Sequence, residues 1–232
     1  MFPTTHRSLV VALASGAPEE RARAFETLLA VYWKPVYKYL RVRWTRTREE
    51  AEDLTQGFFV RAFEKESLVS YDAGKASFRV FLRTLLDRYA SNERKAALRQ
   101  KRGGGGKHLD FEAAEEEIGR EASAAANPEE YFHQEWVRSV FALAVDRLRQ
   151  SCESKSRGKH FSLFEAYDLD DDDGSSYAQL AKRFGLSDSA VTNHLASVRR
   201  EFREIVLETL REATATESEF RSEARALLGV DR

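Results

Sequence analysis

Apolar residues recur along the chain at the three- and four-residue spacing of amphipathic helices. In the segment 77–101 they would line one side of a helix: Phe78, Phe81, Leu82, Leu85, Leu86 and Tyr89. In the segment 47–65 a similar buried stripe is predicted from Leu54, Phe58, Val60 and Ala62. No run alternates apolar and polar residues in the manner of a half-buried strand. The pattern therefore predicts an all-α protein.

Helix-start and helix-stop signals support this prediction. Capping-box spacing occurs at Thr47-x-x-Glu50, Asn127-x-x-Glu130 and Thr216-x-x-Glu219. Pro18, followed by two glutamates, suits the first turn of a helix. Gly185, between two apolar residues, is typical of a helix stop and turn.

Charge and glycine divide the chain. Residues 83–107 hold eight basic and two acidic residues, whereas residues 108–135 hold nine acidic and one basic. Four of the 12 glycines stand together at 103–106. A basic helix end, a glycine run and an acidic stretch predict the end of a domain and a flexible linker. We predict two small helical domains, 1–102 and 128–232, joined by the linker 103–127. The acidic linker either folds back on the basic surface or is simply solvated.

Composition excludes several classes of protein. With 42% hydrophobic residues the chain can form a folded core. A formal net charge of −1 means that any nucleic-acid surface must be local. The chain has one cysteine, so an internal disulfide is impossible. Its five histidines are scattered, so a zinc site is not expected. We expect no metal or cofactor.

The longest apolar runs have six residues, too few to span a bilayer. The first residues do not read as a secretion signal, so a cytoplasmic location is expected. No phosphate loop, paired metal carboxylates or nucleophile constellation is evident, so neither an enzymatic activity nor a small-molecule substrate is expected.

The stretch 176–195 has the order helix, glycine turn, helix. Small and apolar residues can pack between the two helices: Leu180, Ala181, Leu186, Val191 and Leu195. Ser187 is the expected N-cap of the second helix. In a DNA-binding unit of this kind the second helix enters the major groove. Base edges would then face Ser189, Thr192, Asn193 and Ser197, and phosphates would face Arg199, Arg200 and Arg203. An ordinary helical hairpin is the alternative.

A second candidate surface lies at the end of the segment 77–102. Arg88, Asn92, Lys95 and Arg99 share one helix face, and aromatic residues lie nearby. Cations with an amide and aromatic rings suit single-stranded nucleic acid, because they neutralise the backbone and hold a displaced base. A solvated basic face is the alternative.

Taken together, these segments resemble a sigma factor of the sigma-70-type family, in its two-domain extracytoplasmic-function class. The run Glu50-Ala51-Glu52-Asp53-Leu54-Thr55-Gln56-Gly57-Phe58-Phe59 is similar to the core-polymerase-binding helix. The run from Phe78 through Asn92-Glu93-Arg94 to Lys101-Arg102 is similar to the helix that captures the −10 element. The segment 176–204 resembles the reader of the −35 element, and 32–37 matches the first helical pair.

The resemblance implies binding to core RNA polymerase and to promoter DNA, with no active site in this chain. Core-polymerase contacts would come from Glu50, Glu52, Asp53, Gln56 and Phe59. Contacts with the −10 element would come from Arg88, Asn92, Arg94, Lys95, Arg99, Lys101 and Arg102. Either Arg88 or Asn92 would hold the flipped base. The −35 contacts are the residues named above for the second helix.

Regulation by an anti-sigma factor or by a serine/threonine kinase is also implied by the resemblance, and Thr55 lies inside the polymerase-binding motif. The tail 216–230 either packs on the second domain or has a regulatory role. The main rival interpretation is a stand-alone helix-turn-helix regulator that binds DNA without polymerase. An enzyme acting on nucleic acid and a purely structural adaptor are further alternatives.

Overall fold

The computed structural model describes residues 9–64, 67–97, 127–170 and 176–229, and these residues contain helices and no β-strand. By their contacts they divide into two compact units. Unit 1 comprises Met1–Val140 and Leu210–Arg232, and unit 2 comprises Phe141–Thr209. The all-α prediction is therefore confirmed for the described residues.

Most of the helices belong wholly to one unit. Those of unit 1 are α1 (Leu9–Ser15), α2 (Pro18–Arg43), α3 (Arg48–Glu64), a 3₁₀ turn (Ser67–Ser70), α4 (Phe78–Ala97) and α9 (Glu217–Leu228). Those of unit 2 are α6 (Gly158–Phe164), a π-helical turn (Glu165–Leu169) and α7 (Tyr177–Phe184). Two long helices, α5 (Pro128–Ser154) and α8 (Asp188–Ala213), cross the boundary between the units. The chain therefore leaves unit 1 in α5 and returns to it in α8.

The core of unit 1 is built around Tyr32 on α2, which is completely buried. Its ring packs edge-on against Phe78 of α4, at 5.9 Å between ring centroids, and lies tilted against Trp136 of α5, at 6.4 Å. Its hydroxyl donates to the carbonyl oxygen of Ala213 at 3.3 Å. Aromatic rings of this size contribute a large share of the apolar area that a small unit buries. Residues from four helices therefore close one core.

The boundaries of unit 1 differ from the predicted domains. The residues 128–140 and 210–232, predicted to belong with the second domain, lie in unit 1. Phe132 packs edge-on against Tyr39 of α2, and Phe220 of α9 is 2% exposed. The tail helix α9, predicted either to pack on the second domain or to have a regulatory role, packs on unit 1. Residues 103–126 of the predicted linker lie outside the described residues.

The core of unit 2 joins the second half of α5 to α6, α7 and α8. Its buried members are Leu148, Cys152, Phe161, Leu163, Phe164, Ala166, Leu180, Ala181, Val191, Leu195 and Val198. The single cysteine is thus a packing residue, and burial raises the pKa of its thiol. A thiol in such surroundings is poorly reactive.

Candidate nucleic-acid interfaces

In unit 2 the helix pair α7 and α8 is defined by its caps. Ser176 and Gln179 form a reciprocal capping box at the start of α7. Gly185 ends α7 with a left-handed backbone, φ 65°, which favours glycine because it has no Cβ. Ser187 accepts the amide hydrogen of Ala190 at 3.2 Å and so caps α8, as predicted. These caps fix the turn in which one helix ends and the next begins.

One side of this pair is buried and the other faces solvent. The predicted packing residues Leu180, Val191 and Leu195 are completely buried, and Ala181 is 5% exposed. On the opposite side of α8, Ser189, Thr192 and Asn193 are exposed, and Ser197 is partly exposed. These exposed side chains are small and polar, so the backbone and base edges of a nucleic acid could approach α8 closely.

Two of these hydroxyls are hydrogen-bonded close to the start of α8. Thr192 donates to the carbonyl oxygen of Asp188 at 3.0 Å, and Ser189 shares a hydrogen bond with Ser187 at 3.0 Å. Asn193 is exposed, and an asparagine amide can form two hydrogen bonds with an adenine edge. Among the predicted base-reading residues, Asn193 is therefore the one with the clearest recognition chemistry.

The three predicted phosphate contacts differ in environment. Arg199 forms an ion pair with Asp168 at 2.8 Å, donates to the Tyr177 hydroxyl at 3.4 Å and lies over the Tyr167 ring. The hydrogen bonds to Asp168 raise the pKa of the Arg199 guanidinium. Arg200 and Arg203 are exposed. Arg199 thus joins α8 to the π-helical turn and α7, while the other two arginines face solvent.

A polar groove of about 580 Å³ runs beside Arg200. On its wall, Glu201 accepts hydrogen bonds from Ser151, Lys155 and Arg157 at 2.6, 2.8 and 2.5 Å. Burial alone would raise the pKa of Glu201, but these three donors lower it to about 2. The network ties α8 to the end of α5. Sequence reasoning missed it, because the cations lie more than forty positions away from Glu201.

In unit 1 the predicted polymerase-binding residues lie on α3, which begins with the predicted capping box of Thr47 and Glu50. Asp53 is exposed and Gln56 is partly exposed. Glu50 and Glu52 each pair with an arginine one turn earlier, at 3.6 and 2.8 Å. Phe59 is only 3% exposed, so it supports the helix from inside and is not available for contact.

The buried stripe of α3 differs from the predicted one. Val60, expected inside, is 49% exposed, whereas Ala51 and Thr55 are completely buried. Val60 lies on the same face as Asp53 and Gln56, because the spacings are seven and four residues. The exposed face of α3 thus combines one apolar residue with two polar ones.

The side chain of Thr55 is not accessible to a kinase in this fold. Its hydroxyl donates to the carbonyl oxygen of Ala51 at 2.7 Å, and the side chain is completely buried. The backbone hydrogen bond is an ordinary use of threonine within a helix. The structure therefore gives no support to modification of Thr55.

On α4 the second candidate surface is exposed at its C-terminal half. Arg88, Asn92, Arg94 and Lys95 all face solvent, while Arg99, Lys101 and Arg102 lie outside the described residues. The acidic residues of this stretch are held by neighbours. Asp87 accepts from Tyr39 and Trp44 at 3.2 and 3.0 Å, and Glu93 pairs with Arg61 at 3.6 Å. The exposed face of this half of α4 is therefore cationic.

No protein-family model, no curated protein and no solved structure matches this chain. Among the described residues, no helix has both the length and the apolar character needed to cross a membrane. Across the same parts of the chain, no three His, Cys, Asp or Glu side chains are grouped so that they could hold a metal ion.

Proposed function

We propose that this chain is a sigma factor of the sigma-70 type, extracytoplasmic-function class, which binds core RNA polymerase and directs it to promoters. The observation that carries the proposal is the occurrence, in one all-helical chain, of a cationic face on α4 and a capped helix pair with small polar residues on α8. The order of these features along the chain is the order that the family resemblance implies.

In this proposal α3 binds the polymerase. Asp53 and Gln56, with the exposed Val60 on the same face, form the contact surface. An acidic and apolar strip is complementary to a basic partner surface with an apolar centre. Glu50 and Glu52 add negative charge at the rim, where paired surface charges contribute little to affinity.

The two DNA surfaces act differently. On α4, Arg88, Arg94 and Lys95 neutralise phosphates while either Arg88 or Asn92 holds a base displaced from the −10 element. On α8, Asn193 and its neighbours read the −35 element in the major groove, and Arg200 and Arg203 bind phosphates. The chemistry of transcription belongs to the polymerase in this proposal.

Co-migration with bacterial core RNA polymerase on gel filtration tests the proposal. The wild-type chain is expected to co-migrate, and Asp53→Ala/Gln56→Ala is expected not to. Glu130→Ala/Gln134→Ala is the matched control, because it removes an exposed carboxylate and an exposed amide from α5. Failure of the wild-type chain to bind core would count against a sigma factor.

A stand-alone helix-turn-helix regulator is the second candidate. It is favoured by the completeness of the α7–α8 pair, whose caps and buried contacts all come from unit 2. Its distinguishing property is sequence-specific binding of duplex DNA in the absence of polymerase. Promoter binding that requires core polymerase would exclude it.

A further inference from the structure

Two arginines in the N-terminal half of α4 are covered by carboxylates from distant parts of the chain. Arg79 pairs with Glu223 of α9 at 2.7 Å, and Arg83 pairs with Glu129 of α5. The side chains of Arg79 and Arg83 are only 16% and 14% exposed. They are one turn apart and therefore lie on one face of α4. The chain thus supplies its own anions to a pair of cations on the proposed −10 helix.

The two parts of the chain that supply these carboxylates, α9 (Glu217–Leu228) and the Glu129 side chain in the first turn of α5, are here called the clamp. Its attachment to the start of α4 is specific. The Glu219 carboxylate accepts the backbone amide hydrogen of Phe78 at 2.9 Å and that of Ala215 at 3.0 Å. The Arg79 guanidinium also lies over the ring of Trp136, at 4.7 Å from its centroid. The clamp therefore covers two arginines in the first half of α4, while Arg88, Arg94 and Lys95 in the second half are exposed.

Arginine is well suited to bind phosphate, since its planar guanidinium donates two parallel hydrogen bonds to an oxyanion. A carboxylate presents the same acceptor geometry to the same donors. Arg79 and Arg83 lie on the helix that also carries the exposed Arg88 and Lys95. A nucleic-acid backbone that follows α4 toward its N-terminus would therefore meet two phosphate sites already filled by Glu129 and Glu223.

We propose that Arg79 and Arg83 are concealed phosphate-binding residues, and that the clamp is an internal competitor that nucleic acid displaces from them. This inference rests on the proposed function of α4 as a nucleic-acid-binding helix. Displacement begins at Glu129, whose side chain is 67% exposed and whose ion pair is open to solvent. The last ion pair to break is that of Glu223, whose side chain is only 11% exposed, because Glu223 can separate from Arg79 only when α9 moves away from α4.

The first experiment compares two charge-matched variants of the full chain. Glu129→Gln/Glu223→Gln removes both competing carboxylates, and Glu26→Gln/Glu130→Gln removes two exposed carboxylates from unit 1 that contact neither arginine. Each variant changes the net charge by the same amount. Binding to a fluorescein-labelled single-stranded DNA of mixed sequence is measured by anisotropy at low salt. We expect the first variant to bind about fivefold more tightly than the control. Equal affinities would overturn the proposal.

A second experiment uses the wild-type chain and so does not depend on a variant that folds. Hydrogen exchange is followed at the Phe78 amide and across residues 217–228, with and without a saturating amount of the same DNA. Displacement of the clamp predicts faster exchange at both places when DNA is bound. Unchanged protection in the DNA complex would show that the clamp is a permanent part of unit 1.

The two proposals fail separately. If the wild-type chain does not bind core polymerase but Glu129→Gln/Glu223→Gln binds DNA more tightly than the control, the sigma-factor proposal fails and the clamp proposal stands. If the wild-type chain binds core polymerase and the two variants bind DNA with equal affinity, only the clamp proposal fails. If neither the wild-type chain nor either variant binds the DNA, α4 is not a nucleic-acid surface and the clamp proposal fails.

Discussion

The hydroxyl of Tyr89 on α4 occupies the space beside Gly57 on α3 that any other side chain would need. A Cβ placed on Gly57 would clash with the Tyr89 oxygen, whereas the ring carbon that bears this oxygen would be 3.6 Å away. Burial raises the pKa of this hydroxyl to about 12. The glycine thus allows the proposed polymerase-binding helix to approach the proposed −10 helix closely.

Gly57→Ala is therefore expected to destabilise unit 1 by about 1–3 kcal/mol, because overpacking outweighs the better helix propensity of alanine. In a Tyr89→Phe background the same substitution is expected to be neutral or stabilising. Urea unfolding followed by tryptophan fluorescence measures this, since all three tryptophans lie in unit 1. Equal costs in the two backgrounds would contradict the close approach of Tyr89 and Gly57.

The buried pair of Lys38 and Glu135 gives a second prediction. Their charged atoms are 2.5 Å apart, and both residues are at most 1% exposed. Lys38→Met leaves a buried carboxylate whose remaining ion pair is with the half-exposed Arg138, and it should cost about 3–5 kcal/mol. Lys38→Met/Glu135→Leu should recover most of that loss, because no charge is then left buried. Tryptophan fluorescence again reports the transition, and a double variant no more stable than Lys38→Met would refute the interpretation.

Ser176→Ala should loosen the start of α7. The substitution removes the side-chain acceptor of the Gln179 amide and should cost about 0.5–2 kcal/mol. Hydrogen exchange at the Gln179 amide should accelerate accordingly. Ser162→Ala, at an exposed position on α6, is the control and should leave that rate unchanged.

The stability of unit 2 should depend on pH through Glu201. Its pKa in the folded chain is about 2, below the ordinary value of 4.5, so folding favours the ionised carboxylate. The resulting stabilisation, about 3 kcal/mol, is complete above the ordinary pKa and is lost as the pH falls toward 2. Glu201→Gln should flatten the pH dependence of unit 2 unfolding between about pH 5 and 2. An equally steep profile in the variant would assign the acid sensitivity to other groups.

Arginines on α8 should separate into a DNA-binding and a structural class. Arg200→Gln is expected to weaken binding to all duplex sequences and to reduce the salt dependence by about one unit of slope. Asn193→Ala is expected to change the preferred sequence at a cost of about 1–3 kcal/mol. Both effects are measured by fluorescence anisotropy. A series of salt concentrations gives the slope for Arg200→Gln, and a series of duplex sequences gives the preference of Asn193→Ala.

Arg199→Gln is the corresponding structural variant. It breaks the contacts with Asp168 and Tyr177, so unit 2 should unfold at a lower temperature. Its salt dependence of DNA binding should stay close to that of wild type. A full unit of slope lost in Arg199→Gln would instead identify it as a phosphate contact.

Local features could be predicted from the sequence because their partners are close along the chain. Gly185 ends α7, Ser187 caps α8 and Thr47 pairs with Glu50, each within three residues. The stripe of α4 is also confirmed, since Phe78, Leu82 and Leu86 are completely buried. In each case helix geometry alone brings the residues together.

Other features depend on partners that no local pattern reveals. The predicted box at Thr216 forms only in part, because the Glu219 side chain binds Phe78, 141 positions away, instead of returning to Thr216. Asn127 likewise caps α5 through the amide of Glu129, while Glu130 is bound by Gln134. Sequence periodicity indicates that a tail helix has an apolar side, but not which unit covers it.

Unit 1 is formed by two separate segments of the chain, and this affects the order in which the units fold during synthesis. Phe78 and Tyr32 are synthesised well before Ala213 and Glu219, the residues that bind them. Unit 2 is continuous from Phe141 to Thr209 and is complete before that point. The usual N-terminal-first order of folding during translation is therefore reversed here. Unit 1 can complete its core only after residues 210–228 have been synthesised, and its central aromatic residues stay uncovered until then.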